Sequence, residues 1–205
     1  MQEYSFSIFG VLKEGFRRSD GVKWTFMGSI LSLLLIQFII ALVLLFIEPG
    51  FKDFLNLLVS ILTLPISVGI LLLGVFRARE AEITIGQVFN YFPQFPYLLL
   101  GYILITIFTI LGFIALVIPG IYLSIAYIYS LSLVADKKLP VWQAMELSRK
   151  TVTKQWFKFF GLGIVSFFFI LLSAIPFGIG LIWSIPTVYI TYGLLYHRLF
   201  DEEQD

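Results

Sequence analysis

The sequence predicts an all-α integral membrane protein, a single domain of residues 1–205 that crosses the membrane with six helices. The first observation is composition: 59% of the 205 residues are hydrophobic and 13% are charged, whereas soluble domains carry about 25% charged residues. The mean hydropathy of +0.95 agrees with this contrast. The second observation is a set of long uncharged runs, and the third is the placement of basic residues between them.

Four stretches lack Asp, Glu, Lys and Arg and exceed the ~20 residues that a helix needs to cross a bilayer. They run from Trp24 to Ile47, Phe54 to Phe76, Ile83 to Ala135 and Phe159 to His197. The last two are long enough to cross twice, and each has a Pro and Gly cluster near its middle where a tight turn fits. The runs therefore predict spans at about 24–47, 55–76, 97–117, 119–135, 158–176 and 179–197.

Basic residues occupy alternate gaps between these spans. Thirteen of the fourteen Lys and Arg residues lie in gaps on one side, and Lys52 alone lies on the other. Because short segments that carry Lys and Arg stay in the cytoplasm, we expect both termini there. The turns on the far side would be short, near Gly50, at 118–120 and at 177–178.

Two amphipathic segments precede spans on the cytoplasmic side, at about 5–18 and about 140–155. The apolar stripe of the first consists of Phe9, Leu12 and Phe16. The apolar face of the second consists of Val141, Ala144, Met145, Ser148 and Val152. Both segments predict helices that lie in the membrane interface with their basic residues toward lipid phosphates.

The chain divides into three similar units, 4–80, 82–136 and 139–200. Each unit has a polar or amphipathic lead-in, a span, a turn and a second span, and the second spans align on Pro65, Pro119 and Pro186. Since each unit crosses twice, all three would have the same orientation. These parallel repeats predict a pseudo-threefold bundle, unlike the inverted repeats of many secondary transporters.

Polar side chains inside the spans are few and uncharged, which argues against a proton-coupled pump because such pumps need ionisable groups in the membrane. The interior candidates for ligand binding are Gln37, Tyr122 and Tyr189. The interfacial candidates, which would contact anionic headgroups, are Arg149, Lys150 and Lys154. The alternative for both sets is structural: packing for the interior residues and simple anchoring of the bundle for the basic ones.

Catalytic chemistry has no candidate residues. His197 is the only histidine and cysteine is absent, so thiolate and transition-metal sites lack ligands. We expect no enzyme activity, no metal and no cofactor, and the basic residues lie where topology requires them instead of forming a nucleic-acid site. The acidic tail is expected to be solvated; it comprises Asp201, Glu202, Glu203 and Asp205.

One region resembles a known group of proteins. It consists of Ile118-Pro-Gly-Ile-Tyr-Leu-Ser-Ile-Ala-Tyr, then Ala135-Asp136, then Ala144-Met145-Glu-Leu-Ser148 before Trp156 and Gly161. This pattern, mainly within residues 110–165, resembles bacterial multipass proteins that include the YciC-like family and the membrane domain of some glycerophosphodiester phosphodiesterases. The resemblance implies a six-span domain in the bacterial inner membrane. These residues include no soluble domain of the kind that carries the phosphodiesterase chemistry, so we do not expect hydrolysis.

Two functions agree with these patterns. The first is a membrane scaffold or accessory subunit that binds lipids, a membrane-protein partner or further copies of itself. The second is a permease, channel or lipid carrier for a neutral or amphiphilic substrate. The absence of charge within the spans favours the first, and a continuous polar cavity would favour the second.

The topology can be tested with reporters fused at Gly50, Gly120, Lys138 and the C-terminus. The basic-residue distribution predicts far-side activity at Gly50 and Gly120 and cytoplasmic activity at Lys138 and the C-terminus. Cytoplasmic activity at Gly50 would overturn the predicted orientation.

Overall fold

The computed structural model describes residues 5–175 and 177–202, and this part of the chain is helical without any strand. Its ten α-helices are α1 (Ile8–Arg18), α2 (Lys23–Leu44), α3 (Pro49–Leu62), α4 (Leu64–Ala78), α5 (Phe95–Ala115), α6 (Val117–Ala126), α7 (Ser130–Lys137), α8 (Val141–Thr153), α9 (Trp156–Ala174) and α10 (Leu181–Phe200). Short 3-10 helices, Ile85–Phe89 and Phe92–Gln94, precede α5. Tyr4, residue 176, Glu203 and Asp205, which belong to predicted segments, lie outside the described residues.

Local sequence explains several helix boundaries. The Ser7 hydroxyl accepts a hydrogen bond from the Gly10 N–H (3.4 Å) and caps α1. Prolines occupy the first turn of α3, α4 and α5, where a missing N–H costs little. Two predicted spans are each divided into two helices, 55–76 by a turn at Thr63 and 119–135 by a turn at 127–129.

Five segments among the described residues are long and apolar enough to cross a membrane. They are Lys23–Leu44, Gly50–Ala78, Ile85–Ala115, Val117–Lys137 and Trp156–Ala174, and they correspond to the first five predicted spans. The sixth, predicted at 179–197, forms α10. It is long enough but falls outside this set, because its Ser, Thr, Tyr and His residues make it less apolar.

Helix α10 lies at the centre of the bundle, where it packs against α1, α2, α4 and α9. Its Ser184, Thr187 and Thr191 side chains are buried. The Thr187 and Thr191 hydroxyls each donate to a carbonyl oxygen one turn earlier, both at 2.7 Å. Neighbouring helices thus surround its polar residues, so this helix tolerates a composition that a lipid-facing helix could not.

Helices α4 and α10 run in the same direction and touch through their backbones at Gly74 and Gly193. A Cβ atom on Gly193 would overlap the carbonyl group of Gly74, and one on Gly74 would overlap the carbonyl oxygen of Tyr189. Gly15 of α1 approaches Thr191 of α10 just as closely. Small residues allow this separation because no side chain stands between the helices.

The outer helices present apolar side chains to the surroundings. Phe38 on α2 is 61% exposed and Phe167 on α9 is 62% exposed, with many leucines and isoleucines beside them. In the most apolar part of α2, only 11% of the residues are buried inside the bundle, whereas the same share for Gly50–Ala78 is 61%. The bundle therefore has a packed centre and an apolar shell that acyl chains would cover.

The predicted face of the second amphipathic segment is confirmed as the buried face of α8. Val141, Ala144, Met145, Ser148 and Val152 are all buried. They pack mainly against α7, with further contacts to α5, α6 and α9. The face that was expected to rest on the membrane therefore rests on protein, while its basic residues point outward.

The first amphipathic segment forms α1 as predicted, but a different face packs on the bundle. Val11 and Gly15 are buried against the protein, whereas Phe9 is 74% exposed and Phe16 is 48% exposed. The predicted stripe is thus left largely exposed, and Gly15, which has no side chain, allows a closer approach to α10 than a phenylalanine would.

Charged residues connect the ends of α4, α7 and α10 at one end of the bundle, called the near end below. Arg79 donates two hydrogen bonds to Asp136 (2.8 and 2.6 Å) and two to Asp201 (2.8 and 3.1 Å). The Tyr196 hydroxyl also donates to Asp136 (2.9 Å), and Lys137 pairs with Asp201 (2.9 Å). The prediction of a solvated Asp201 is therefore wrong, since its partner Arg79 lies 122 residues away in sequence.

Replacing Gly193 with Ala should destabilise the bundle by about 3 kcal/mol or more. Added volume in a packed contact costs about 1–3 kcal/mol, and here the obstacle is backbone, which cannot rotate away. The thermal midpoint in detergent measures the effect. Gly50→Ala is the matched control because a Cβ there meets nothing within 4 Å; equal midpoints for the two variants would contradict the contact.

The near-end network predicts a loss of stability in acid. Burial alone would raise the pKa of the Asp201 carboxyl, but hydrogen bonds from Arg79, His197 and Lys137 together hold that pKa well below its usual range. A folded-state pKa below the unfolded value of about 3.9 gives a stabilisation that is complete above that pH and lost below it. The midpoint temperature of thermal unfolding should therefore decrease when the pH is lowered below about 4.

Asp201→Asn provides the comparison for this pH dependence. The variant should already have a lower midpoint at pH 7, because the amide removes the charge that pairs with Arg79. On acidification, the thermal midpoint of this variant should also decrease less than that of the original protein. Parallel pH profiles for the two proteins would show that the network does not determine the acid response.

Candidate lipid-binding groove

A groove of about 860 Å³ lies between the start of α6 and the junction of α8 with α9. Its floor and walls are largely apolar, and lysines lie along it. The lining residues are Ser5, Ile118, Pro119, Tyr122, Thr153, Lys154, Gln155, Trp156, Phe157 and Lys158.

The junction between α8 and α9 positions one wall of the groove. The backbone leaves the helical conformation at Gln155 and α9 begins at Trp156. The Trp156 indole Nε1–H donates to the carbonyl oxygen of Tyr122 (3.3 Å), and its ring stacks on Phe160 at 5.2 Å between centroids. The Tyr122 hydroxyl is 2.7 Å from the Thr153 hydroxyl. These contacts hold α6 against the junction.

The charge of the groove is positive. Lys154 and Lys158 line it, and no Asp or Glu is among the described residues that do. The Lys158 ammonium contacts the Ser5 hydroxyl and lies 5.7 Å from the centre of the Phe6 ring. Lys154 is exposed. An anion entering the groove would therefore meet two ammonium groups without a competing carboxylate.

Arg149 and Lys150 lie on α8, one to two turns before Lys154. Both form ion pairs with the same carboxylate, that of Glu146. Hydrogen bonds from Arg149 and then Lys150 lower the pKa of Glu146 to about 2. Hydrogen bonds with Glu146 and then Tyr122 raise the pKa of Arg149. The outer face of α8 therefore keeps a positive balance beside the groove at neutral pH.

An apolar groove with ammonium groups at its edge matches the chemistry of an anionic amphiphile. Acyl chains would contact Ile118, Pro119 and Phe157, whereas a phosphate would be placed near the lysines. Trp156 has an apolar ring and one N–H donor, which suits the boundary between chain and headgroup. No group of three His, Asp or Glu residues that could hold a metal occurs in residues 5–175 and 177–202.

The structure brings together three of the six predicted binding residues. Tyr122 and Lys154 line the groove, and Arg149 lies beside Tyr122. Lys150 is 66% exposed and pairs with Glu146 outside the groove. The other interior candidates are placed differently.

Gln37 and Tyr189 do not line an interior site. Gln37 is exposed on the outer face of α2, so its predicted interior position is wrong. Tyr189 stacks on Phe26 at 6.1 Å between ring centroids, and its carbonyl oxygen lies against Gly74. It therefore packs between helices, which was the structural alternative for this residue.

Sequence reasoning missed Ser5, Ile118, Pro119, Trp156 and Lys158 as parts of one site. They come from three distant segments, and Ile118 was expected on the opposite side of the membrane from Lys158. The only local signal was the pair Lys154 and Lys158, four residues apart around two aromatic residues. Lys154 was already a candidate for headgroup contact, whereas the charge distribution assigned Lys158 to topology alone.

Comparisons of the chain with protein-family models, curated proteins and solved structures found no match. The resemblance to the YciC-like group therefore stays a prediction that depends on the quoted residues.

Proposed function

We propose that this protein is a multipass membrane scaffold or accessory subunit that holds anionic lipid in the groove at the α8–α9 junction. The observation that carries the proposal is the pair Lys154 and Lys158 on an apolar groove whose described lining has no acid. Positively charged groups beside a membrane attract anionic lipid by about 1 kcal/mol per residue. The proposal assigns the protein no catalytic role and no cofactor.

The packing of the bundle centre supports a scaffold more than a transport pathway. Backbone contact between Gly74 and Gly193 leaves no space for a path along the seam of α4 and α10. The hydroxyls of Thr187 and Thr191 are already bonded to their own helix. A permease, channel or lipid carrier, the alternative function, would need such polar groups to face an open route.

We infer that the protein lies in the bacterial inner membrane with both termini in the cytoplasm. In this arrangement α10 crosses the membrane as well, shielded by the helices around it. Support comes from the near end, where Arg79 and Lys137 both pair with Asp201 and Arg198 lies beside Arg79, although the three residues follow or end different spans.

The packing order supports the proposed threefold repeat. The lead-in of each unit packs against the second span of the preceding unit: residues 85–89 against α4, α8 against α7, and α1 against α10. The last of these contacts closes the cycle from the first unit to the third. A ring of equivalent contacts is what three parallel units about one axis would produce.

Lipid retention tests the proposed function. Lys154→Gln/Lys158→Gln should bind phosphatidylglycerol at least about tenfold more weakly, since two lysines contribute about 2 kcal/mol. Native mass spectrometry of protein purified from nanodiscs of mixed phosphatidylglycerol and phosphatidylcholine gives the bound fraction.

Lys13→Gln/Lys138→Gln is the matched control, because it removes the same charge from positions that do not line the groove. It should retain phosphatidylglycerol like the original protein. Equal losses of phosphatidylglycerol in both double variants would show that general surface charge, and not the groove, binds the lipid. If the original protein retained phosphatidylcholine as well as it retains phosphatidylglycerol, the groove would not select an anionic ligand.

A further inference from the structure

The turn between α5 and α6 and the basic α8–α9 junction lie close together. Charge distribution places residues 118–120 and Lys154 on opposite sides of the membrane, yet Ile118 and Lys154 line the same groove. Trp156 donates to the carbonyl oxygen of Tyr122 at 3.3 Å, and Tyr122 is only about 6 Å along the helix from Ile118. A hydrocarbon core of about 30 Å cannot separate the two regions.

Aromatic contacts place this junction at the near end of the bundle. The ring of Phe159 lies 5.9 Å from that of Tyr129, which lies 5.6 Å from that of Phe200. Phe200 precedes Asp201, whose carboxylate binds Arg79 in the near-end network. The groove and the turn beside it are therefore on the near side.

Helix α8 follows the α5–α6 hairpin along its length. It begins with Trp142 against Phe108 of α5, at 6.1 Å between ring centroids. Its middle bonds to α6 through the Ser148 hydroxyl and the Ala126 carbonyl oxygen (2.8 Å), and its end contacts Tyr122. Helix α8 must therefore lie at the same depth in the membrane as the middle of the hairpin.

The charged residues of α8 then limit the orientation that the hairpin can adopt in the membrane. Glu146, Arg149 and Lys150 lie on the outward face of α8, with Lys150 66% exposed. A hairpin perpendicular to the membrane would carry this face into the hydrocarbon core, where each charged residue costs about 2.5–3.5 kcal/mol. An orientation along the membrane surface leaves these charges among headgroups.

The composition of the turn agrees with immersion in lipid. Ile114 is 76% exposed and Ile118 is 78% exposed, with Leu116 and Val117 between them. The α2–α3 turn, by contrast, contains Glu48, Lys52 and Asp53. A turn that emerged into water on the far side would expose four large apolar side chains there, which is unfavourable at about 25 cal/mol per Å².

We propose that the α5–α6 hairpin is embedded in the near leaflet and returns without crossing the membrane. Helix α8 covers its headgroup side, and its apolar turn lies among the acyl chains of that leaflet. The hairpin is thus a docking surface whose partner is one leaflet of the bilayer. Two of the six expected crossings disappear, so both termini stay on the same side. The middle unit then keeps its lead-in contacts but does not cross, and a reporter at Gly120 should lack the far-side activity that charge distribution alone predicts.

Single cysteines can test the position of the turn because the chain contains none. Leu116→Cys probes the turn, Lys52→Cys marks the far side and Lys150→Cys marks the near side. Oriented vesicles are treated with a membrane-impermeant maleimide from each side. We expect Lys52→Cys to react only from the far side and Leu116→Cys not to react from that side.

A fluorophore on Leu116→Cys then reports the leaflet. Spin-labelled phosphatidylcholine introduced into the near leaflet alone should quench it at least about twofold more than the same lipid in the far leaflet. Far-side labelling, or stronger quenching from the far leaflet, would overturn the proposal. Val117→Cys repeats the measurement at a second exposed position, so that an ill-folded variant does not decide the result.

Discussion

The backbone contact between α4 and α10 organises the rest of the molecule. Because Gly74 and Gly193 have no side chains, the two helices approach closely and run together toward the near end. Helix α10 is then surrounded by α1, α2, α4 and α9, and its hydroxyl groups are isolated from lipid. The least apolar long helix can occupy a membrane bundle only in this protected position.

The same pairing brings three helix ends into register. Arg79 ends α4 and reaches Asp201 beyond α10, and Asp136 of α7 completes its set of acceptors. The side chains of Arg79 and Asp136 are 25% and 11% exposed, so removal of one partner would leave a charge that is largely shielded from water. Such groups are strongly destabilising when unpaired, which makes this network a strong constraint on how the ends of α4, α7 and α10 pack together.

Helix α8 connects the two proposals about membrane contact. Its apolar face packs on α7 and on the α5–α6 hairpin, so its basic residues face away from the bundle, and both proposals place them at the headgroups of the near leaflet. The junction with α9 then places Lys154 and Lys158 beside the apolar turn at Ile118. The proposed lipid-binding groove and the proposed leaflet-embedded hairpin therefore depend on the same packing.

Local sequence predicts the helical class, the membrane-seeking composition, the lead-in helices and the apolar face of α8, because each depends on residues close together in the chain. Packing, by contrast, places Gly15 and not Phe9 against the bundle, leaves Gln37 external and pairs Asp201. It also decided which segments form the groove, since Ser5, Tyr122 and Lys158 meet only through packing. Hydropathy measures how apolar a segment is but not which neighbour covers it, so it ranks α10 as the weakest span although packing makes it the central one.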